Sequence, residues 1–195
     1  MTNALLKYSI YDYNQPIREN YLIDICNLVN NSIHDMDNKY DTNVGAQVFY
    51  SPSFLDNLRR YNYMNIGTCI DIDPNIDKVI GSCFHYLNPK QSYNNPEWMY
   101  DEENPILINS FTVDPEYRNL GIGSQMLNRY KRCYSKSGNY SGLILSADSP
   151  NTGAIRLYKR NGFAEKCEYD HNGKPKTIMT YKFDPPMEIE YDDCD

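Results

Sequence analysis

Long apolar runs are missing from this 195-residue chain: no stretch approaches the ~20 uninterrupted apolar residues of a membrane span, so no membrane-spanning helix is expected. A leader is missing too. The opening MTNALLKYSIYDYN has neither a basic n-region nor a long apolar h-region, which predicts no signal peptide and a cytoplasmic setting. The six cysteines (Cys26, Cys69, Cys83, Cys133, Cys167, Cys194) show neither CxxC pairs nor metal spacing and read as reduced thiols. His34, His85 and His171 lie far apart, so no metal site is expected. Positive charge is the scarcer sign, 19 Lys+Arg against 26 Asp+Glu for a net charge of −7. That balance argues against a nucleic-acid surface spread over the domain and would attract a cationic partner. Acidic solvation for solubility gives the same number.

What is present is ordinary for a folded domain: 41% apolar and 23% charged residues, in a length near the ~150 residues of one domain. Residues 1–183 read as a single domain and 184–195, two prolines and then acid, as a mobile tail. A strand over Leu5–Tyr11 is followed by Pro16 and a helix whose stripe is Leu22, Ile25, Cys26, Val29 and Ile33. A shorter helix is expected over Ser53–Arg60, capped by Ser51 or Ser53. Strands over Asn65–Asp71 and Lys78–Leu87 flank the turn-former Asp73-Pro74-Asn75 as an antiparallel hairpin. Residues 88–104, with the sole tryptophan Trp98, read either as a substrate-facing loop or as a long solvated connection. A strand over Ile106–Val113 precedes a glycine-containing loop and a helix to about Lys136, with Ile122, Met126, Tyr130 and Cys133 on one face. A strand over Leu143–Ser146, a helix over Thr152–Asn161 and strands over Phe163–Asp170 and Lys176–Phe183, joined at Asn172-Gly173, complete the series. The order β-α-α-β-β-β-α-β-α-β-β predicts a mixed α/β fold, a central sheet of about seven strands with helices on both faces.

The segment from Val113 to Ser124 carries the most chemistry. A strand ends, Gly121 and Gly123 leave room for backbone N–H groups to approach a ligand, and a helix begins. The first-turn N–H groups lack intrahelical partners and the helix dipole adds positive potential, a setting for phosphate with Arg118 beside it. One glycine merely turning the chain is the plainer alternative. A dinucleotide fingerprint would need a third glycine, and a P-loop would need a lysine before Ser124.

Arg118-x-x-Gly121-x-Gly123 after Val113-Asp114-Pro115 resembles the pyrophosphate signature of the GNAT superfamily of acyl-CoA-dependent N-acetyltransferases. Asn151-Thr152-Gly153-Ala154, Leu157-Tyr158 and Gly162-Phe163 are similar to that family's second signature, and the element series over residues 5–183 fits its fold. The resemblance implies acetyl-CoA as co-substrate, lying where the fourth and fifth strands part. The backbone of Phe111, Thr112 and Val113 would then pair with the pantetheine arm. Arg118, Asn119, Leu120, Gly121, Ile122, Gly123 and Ser124 would hold the pyrophosphate, and Asn151 the pantetheine amides. Asn151 also suits a helix N-cap.

Tyr158, two helical turns after Asn151, would protonate the departing thiolate, since a phenol with a pKa near 10 keeps its proton at pH 7. The alternative is a tyrosine packed on the sheet. The sequence departs from the better-known family pattern at Asn109, where many members carry Glu. The acceptor's proton would then go to a water held by Asn109 or Ser110, to His85, or to bulk solvent. The resemblance implies a primary amine acceptor (a polyamine or other small amine, or a protein lysine) attacking directly in a ternary complex, in a monomer or homodimer. A protein N-terminus as acceptor, or a non-catalytic CoA-binding module, are the rival readings.

Overall fold

The chain is described by a computed structural model for residues 7–11, 15–40, 51–52, 66–87, 103–171 and 173–184. The apolar stripe after Pro16 coils as α1 (Glu19–Tyr40), and Leu22, Ile25, Cys26 and Val29 are all buried. Tyr21 and Leu28 widen that stripe into the broad face of a core-facing helix. Burial pushes the Cys26 thiol up to about 11, as expected of a structural rather than reactive cysteine.

Among the described residues seven strands form one sheet: β1 (Lys7–Tyr11), β2 (Ile66–Asp73), β3 (Lys78–Tyr86), β4 (Ile106–Val113), β5 (Gly142–Asp148), β6 (Ala164–His171) and β7 (Lys174–Lys182). Their order across the sheet is β1-β2-β3-β4-β5-β7-β6. Only β4 and β5 are parallel; every other neighbouring pair is antiparallel. The β2–β3 hairpin turns as expected, because Asp73 Oδ1 accepts from the Asn75 backbone N–H at 2.9 Å and from its Nδ2 at 3.0 Å. Two further helices are described, α2 (Ile122–Ser135) and α3 (Thr152–Arg160).

Strand alternation, reset in β3 by a bulge between Val79 and Gly81, sorts the apolar residues to two faces. Ile70, Ile72, Val79 and Phe84 pack with α1, while Ile80, Cys83, Ile106, Ile108, Leu143 and Leu145 pack with α2 and α3. Each fully buried isoleucine or leucine stabilises the fold by about 1.5–3 kcal/mol. α2 lies so close to β3 that a Cβ on Gly81 would come within 2.9 Å of Met126 Sδ. Beside this contact Arg129 on α2 pairs with the fully buried Asp71 on β2, and its guanidinium lies 4.5 Å from the Tyr8 ring.

The expected face of α2 needs one correction. Ile122, Met126 and Tyr130 are buried, but Cys133 is exposed. The buried row steps by four residues, and its next member is Tyr134, which stacks on Tyr130 at 6.0 Å. The expected helix over 53–60, most of the 88–104 segment with Trp98, Asn172, and the tail from residue 185 lie outside the described residues. Among the described residues, no helix is long and apolar enough to cross a membrane.

Candidate active site

The site begins with an irregularity in β4. Between Phe84↔Asn109 and Ser82↔Thr112, β3 advances two residues while β4 advances three, so β4 carries a bulge. Ser110 takes the extra step with φ +48°, and the Asn109 Oδ1 accepts its backbone N–H at 2.7 Å. A non-glycine residue in that region costs on the order of 1–3 kcal/mol, which the flanking ladder must offset. The bulge bends the second half of β4. Pairing with β5 accordingly runs from Ile106↔Leu143 to Ile108↔Leu145 and stops, while β5 continues along β7 from Gly142↔Lys182 to Asp148↔Lys176. The parting opens a cleft of about 890 Å³.

Phe111, Thr112 and Val113 form one wall of the cleft. Beyond them Asp114 caps a 3-10 turn over Pro115–Tyr117, accepting from the Glu116 N–H at 3.0 Å and from Lys78 Nζ at 2.9 Å. The chain then reaches α2 through two left-handed residues, Asn119 (φ +65°) and Gly121 (φ +82°). Gly121 occupies the N-cap position of α2 and no side chain caps that end. Its first-turn N–H groups are therefore available where Gly121, Ile122, Gly123 and Ser124 line the cleft.

The two glycines serve different purposes. Gly121 supplies the backbone conformation, and a Cβ there would meet nothing within 4 Å. A Cβ on Gly123 would come within 3.0 Å of Leu157 Cδ2 and 3.5 Å of Phe111 Cε1, so this glycine also permits α2 and α3 to approach.

The opposite wall is α3. Asn151 lines the cleft and is also the N-cap, accepting the Ala154 N–H at 3.2 Å, so the cap geometry expected of it is present. Tyr158 lines the cleft while only 6% exposed, held edge-on by Phe111 at 6.0 Å and at a tilt by Phe163 at 5.8 Å. Among the described residues its hydroxyl has no hydrogen-bond partner. Burial, and secondarily the neighbouring Cys83, push this phenol well above the ordinary tyrosine range.

Four expected residues lie off the lining: Leu120 is 58% exposed, Asn109 is exposed, Ser110 is half-buried, and His85 is fully buried. The His85 Nδ1 lies 2.9 Å from the Tyr130 hydroxyl and its Nε2 2.8 Å from that of Tyr134, while Cys83 Sγ donates to Tyr130 at 3.0 Å. Both ring nitrogens thus face phenols of α2.

Sequence reasoning missed Ser32 on α1, Tyr117 and Arg160. Arg160 mattered most, because Arg118 and Arg160 are the charged side chains on the described lining and both are cations. A chain of net charge −7 therefore presents a locally positive cleft. The signal was available, since Arg160 lies three residues after Leu157, one turn on and on the same face of α3, and Leu157 also lines the cleft.

A model of the acetyltransferase (GNAT) family matches residues 31–163, more than half of the chain. The spermine/spermidine N(1)-acetyltransferase of Bacillus subtilis (strain 168) is 33% identical over 78 residues, which are 38% of this chain and 51% of that protein. The chain thus spans about half the length of the curated relatives it matches. Among solved structures, a chimera of spermidine N-acetyltransferase SpeG from Vibrio cholerae and hSSAT superposes with a TM-score of 0.59 at 17% identity, covering 90% of this chain and 95% of that one. Arabidopsis thaliana NAA60, in complex with a bisubstrate analogue, gives a TM-score of 0.57 at 19% identity, covering 90% and 98%. At these identities the likeness is one of fold.

Proposed function

The chain belongs to the acetyltransferase (GNAT) family, and on that premise we propose that it transfers the acetyl group of acetyl-CoA to a primary amine. The observation that carries the reading is the cleft beside the second half of β4, beyond the point where its pairing with β5 ends. It joins a strand edge unpaired with β5, an uncapped helix N-terminus, a buried phenol and two arginines, of which Arg118 donates from Nε to the Val113 carbonyl at 3.1 Å. An elongated polyanionic thioester meets each feature in turn. Its pyrophosphate would take the first-turn N–H groups of α2 with Arg118 and Arg160, which form charge-assisted hydrogen bonds to phosphate oxygens. Its pantetheine amides would pair with the edge of residues 111–113 and with Asn151.

The acetyl carbonyl would lie near the β4 bulge, where the amine attacks it and the carbon–sulfur bond breaks. Tyr158 would give the leaving thiolate its proton and recover one from the new amide nitrogen. An amine that is cationic at pH 7 must first lose a proton. Asn109 cannot take it, and His85 has both nitrogens turned to phenols away from the cleft. Water at the cleft mouth is the acceptor favoured by this geometry. One proton then leaves to solvent per turnover.

The proposed acceptor class is a polyamine. Its support is the stretch shared with the Bacillus enzyme and the net charge of −7, which attracts a polycation to the surface around a cationic cleft. The proposal includes a cytoplasmic site of action, in keeping with Cys26, Cys83, Cys133 and Cys167 standing as thiols and not in disulfides. The test compares kcat/KM for spermine, spermidine, a lysine peptide and a peptide N-terminus at low and high salt. The polyamines should lead, with kcat/KM falling as salt rises. A lead for the N-terminal peptide, or no salt dependence, would overturn the acceptor assignment.

A further inference from the structure

Asn161 ends α3 and does not line the cleft, yet it joins both of the cleft's helices. Its Nδ2 lies 2.8 Å from the Leu157 carbonyl oxygen and 3.0 Å from the Ser124 hydroxyl oxygen. A carbonyl only accepts, so the atom facing Leu157 is the amide nitrogen, and both of its hydrogens are committed, one to each oxygen. The Asn161 backbone N–H caps the Leu157 carbonyl at 3.2 Å and that of Tyr158 at 2.9 Å. Its own carbonyl accepts from Lys131 of α2, whose ammonium lies 4.1 Å from the Tyr181 ring centre. One residue thereby ties the first turn and the middle of α2 to the end of α3.

The consequence falls on Ser124. Its oxygen accepts from Asn161, which turns its own proton away from α3. Among the described residues that proton meets no acceptor, and Ser124 lines the cleft in the first turn of α2, beside the N–H groups of Gly123 and Ile122. A serine this early in a helix could instead bond back to its own backbone; the amide of Asn161 holds it in the outward orientation.

We propose that Asn161 is a positioning residue, which aims the Ser124 hydroxyl proton at an anionic oxygen of the co-substrate's pyrophosphate. This rests on the reading of the cleft as the acetyl-CoA site. Asn161 acts on binding of the phosphate end and leaves the chemistry at Tyr158 to the backbone bonds that any residue at position 161 can make.

The test is a double-mutant cycle read by calorimetry with CoA, and by turnover with acetyl-CoA against S-acetylpantetheine, which lacks the pyrophosphate. Ser124→Ala and Asn161→Ala should each weaken CoA binding by about tenfold or more, the scale of one hydrogen bond to a charged group. The double variant should bind no worse than Ser124→Ala alone. Turnover of S-acetylpantetheine should stay within about twofold of the parent in all three, a readout that a merely structural loss would lower. Should Asn161→Ala not fold, Asn161→Leu fills a similar volume, keeps the backbone bonds and removes the amide without adding a charge or a new partner for Ser124. Additive losses, or equal losses on both thioesters, would overturn the inference. If the parent binds CoA and Ser124→Ala binds it equally well, only this inference falls; if the parent binds no CoA, the reading of the cleft falls with it.

Discussion

Replacing Tyr158 by phenylalanine separates chemistry from structure more cleanly than any other change in the cleft. The ring is 6% exposed and packed against Phe111 and Phe163, contacts that phenylalanine keeps. The hydroxyl has no hydrogen-bond partner among the described residues, so its removal leaves no orphaned group and should alter stability by less than about 1 kcal/mol. In a chain of this size that is a shift in Tm of at most ~2–4 °C. Losing a positioned general acid costs about 10²–10⁴ in rate, or roughly 3–5 kcal/mol of barrier. Tyr158→Phe should therefore lower kcat by about a hundredfold or more, with CoA affinity within twofold of the parent and Tm nearly unchanged. The pH profile adds an independent check. Burial raises this phenol above the free value of about 10, so it holds its proton across neutral and mildly alkaline pH. The alkaline limb of kcat due to Tyr158 should lie above about pH 10. Thiol release from acetyl-CoA in the presence of a saturating amine reports both quantities. A loss below threefold in kcat, with binding and Tm intact, would remove Tyr158 from the mechanism.

The remaining predictions concern the frame and the rival base. Arg129→Met leaves the fully buried Asp71 carboxylate without its counter-charge and should destabilise the fold by about 3–5 kcal/mol, with Asp71→Asn in the same chain recovering much of that in urea melts. Gly142→Ala drives a Cβ into the Tyr181 carbonyl oxygen, so β5 and β7 must separate; circular dichroism should show a chain unfolded or markedly lower in Tm. His85→Gln should lower Tm, since its partners Tyr130 and Tyr134 lose buried hydrogen bonds, but the acidic limb of kcat/KM should keep its midpoint. A moved midpoint would reinstate His85 as the proton acceptor. Arg160→Gln should weaken CoA binding about tenfold or more at low salt and by less at high salt, as calorimetry at two ionic strengths would show.

The sequence spoke clearly where local chemistry decides structure. Asp73-Pro74-Asn75 turns the hairpin by an aspartate bonding two residues on, and the stripe from Leu22 to Val29 is buried as its spacing demands. Gly121 has the positive φ that its place before α2 requires. Longer-range consequences were less legible. Nothing in Ile108-Asn109-Ser110 announces a bulge at a serine, although that bulge parts β4 from β5 and opens the cleft. The second role of Gly123 depends on where Leu157 ends up, 34 residues later in the chain, and the exposure of Cys133 depends on Tyr134 taking the inner side of the last turn. Net charge was silent on the cleft itself in the same way. A total of −7 is a sum over the surface, whereas the cleft is set by the local pair Arg118 and Arg160.

The central claim is acetyl transfer, and its most direct measurement is the stoichiometry between thiol released from acetyl-CoA and acetylated spermidine found by mass spectrometry. The account predicts one thiol per acetylated amine, at a rate well above acceptor-free hydrolysis and lowered about a hundredfold by Tyr158→Phe. Thiol release no faster than hydrolysis with spermidine and with every other amine supplied, or release without acetylated product, would contradict it.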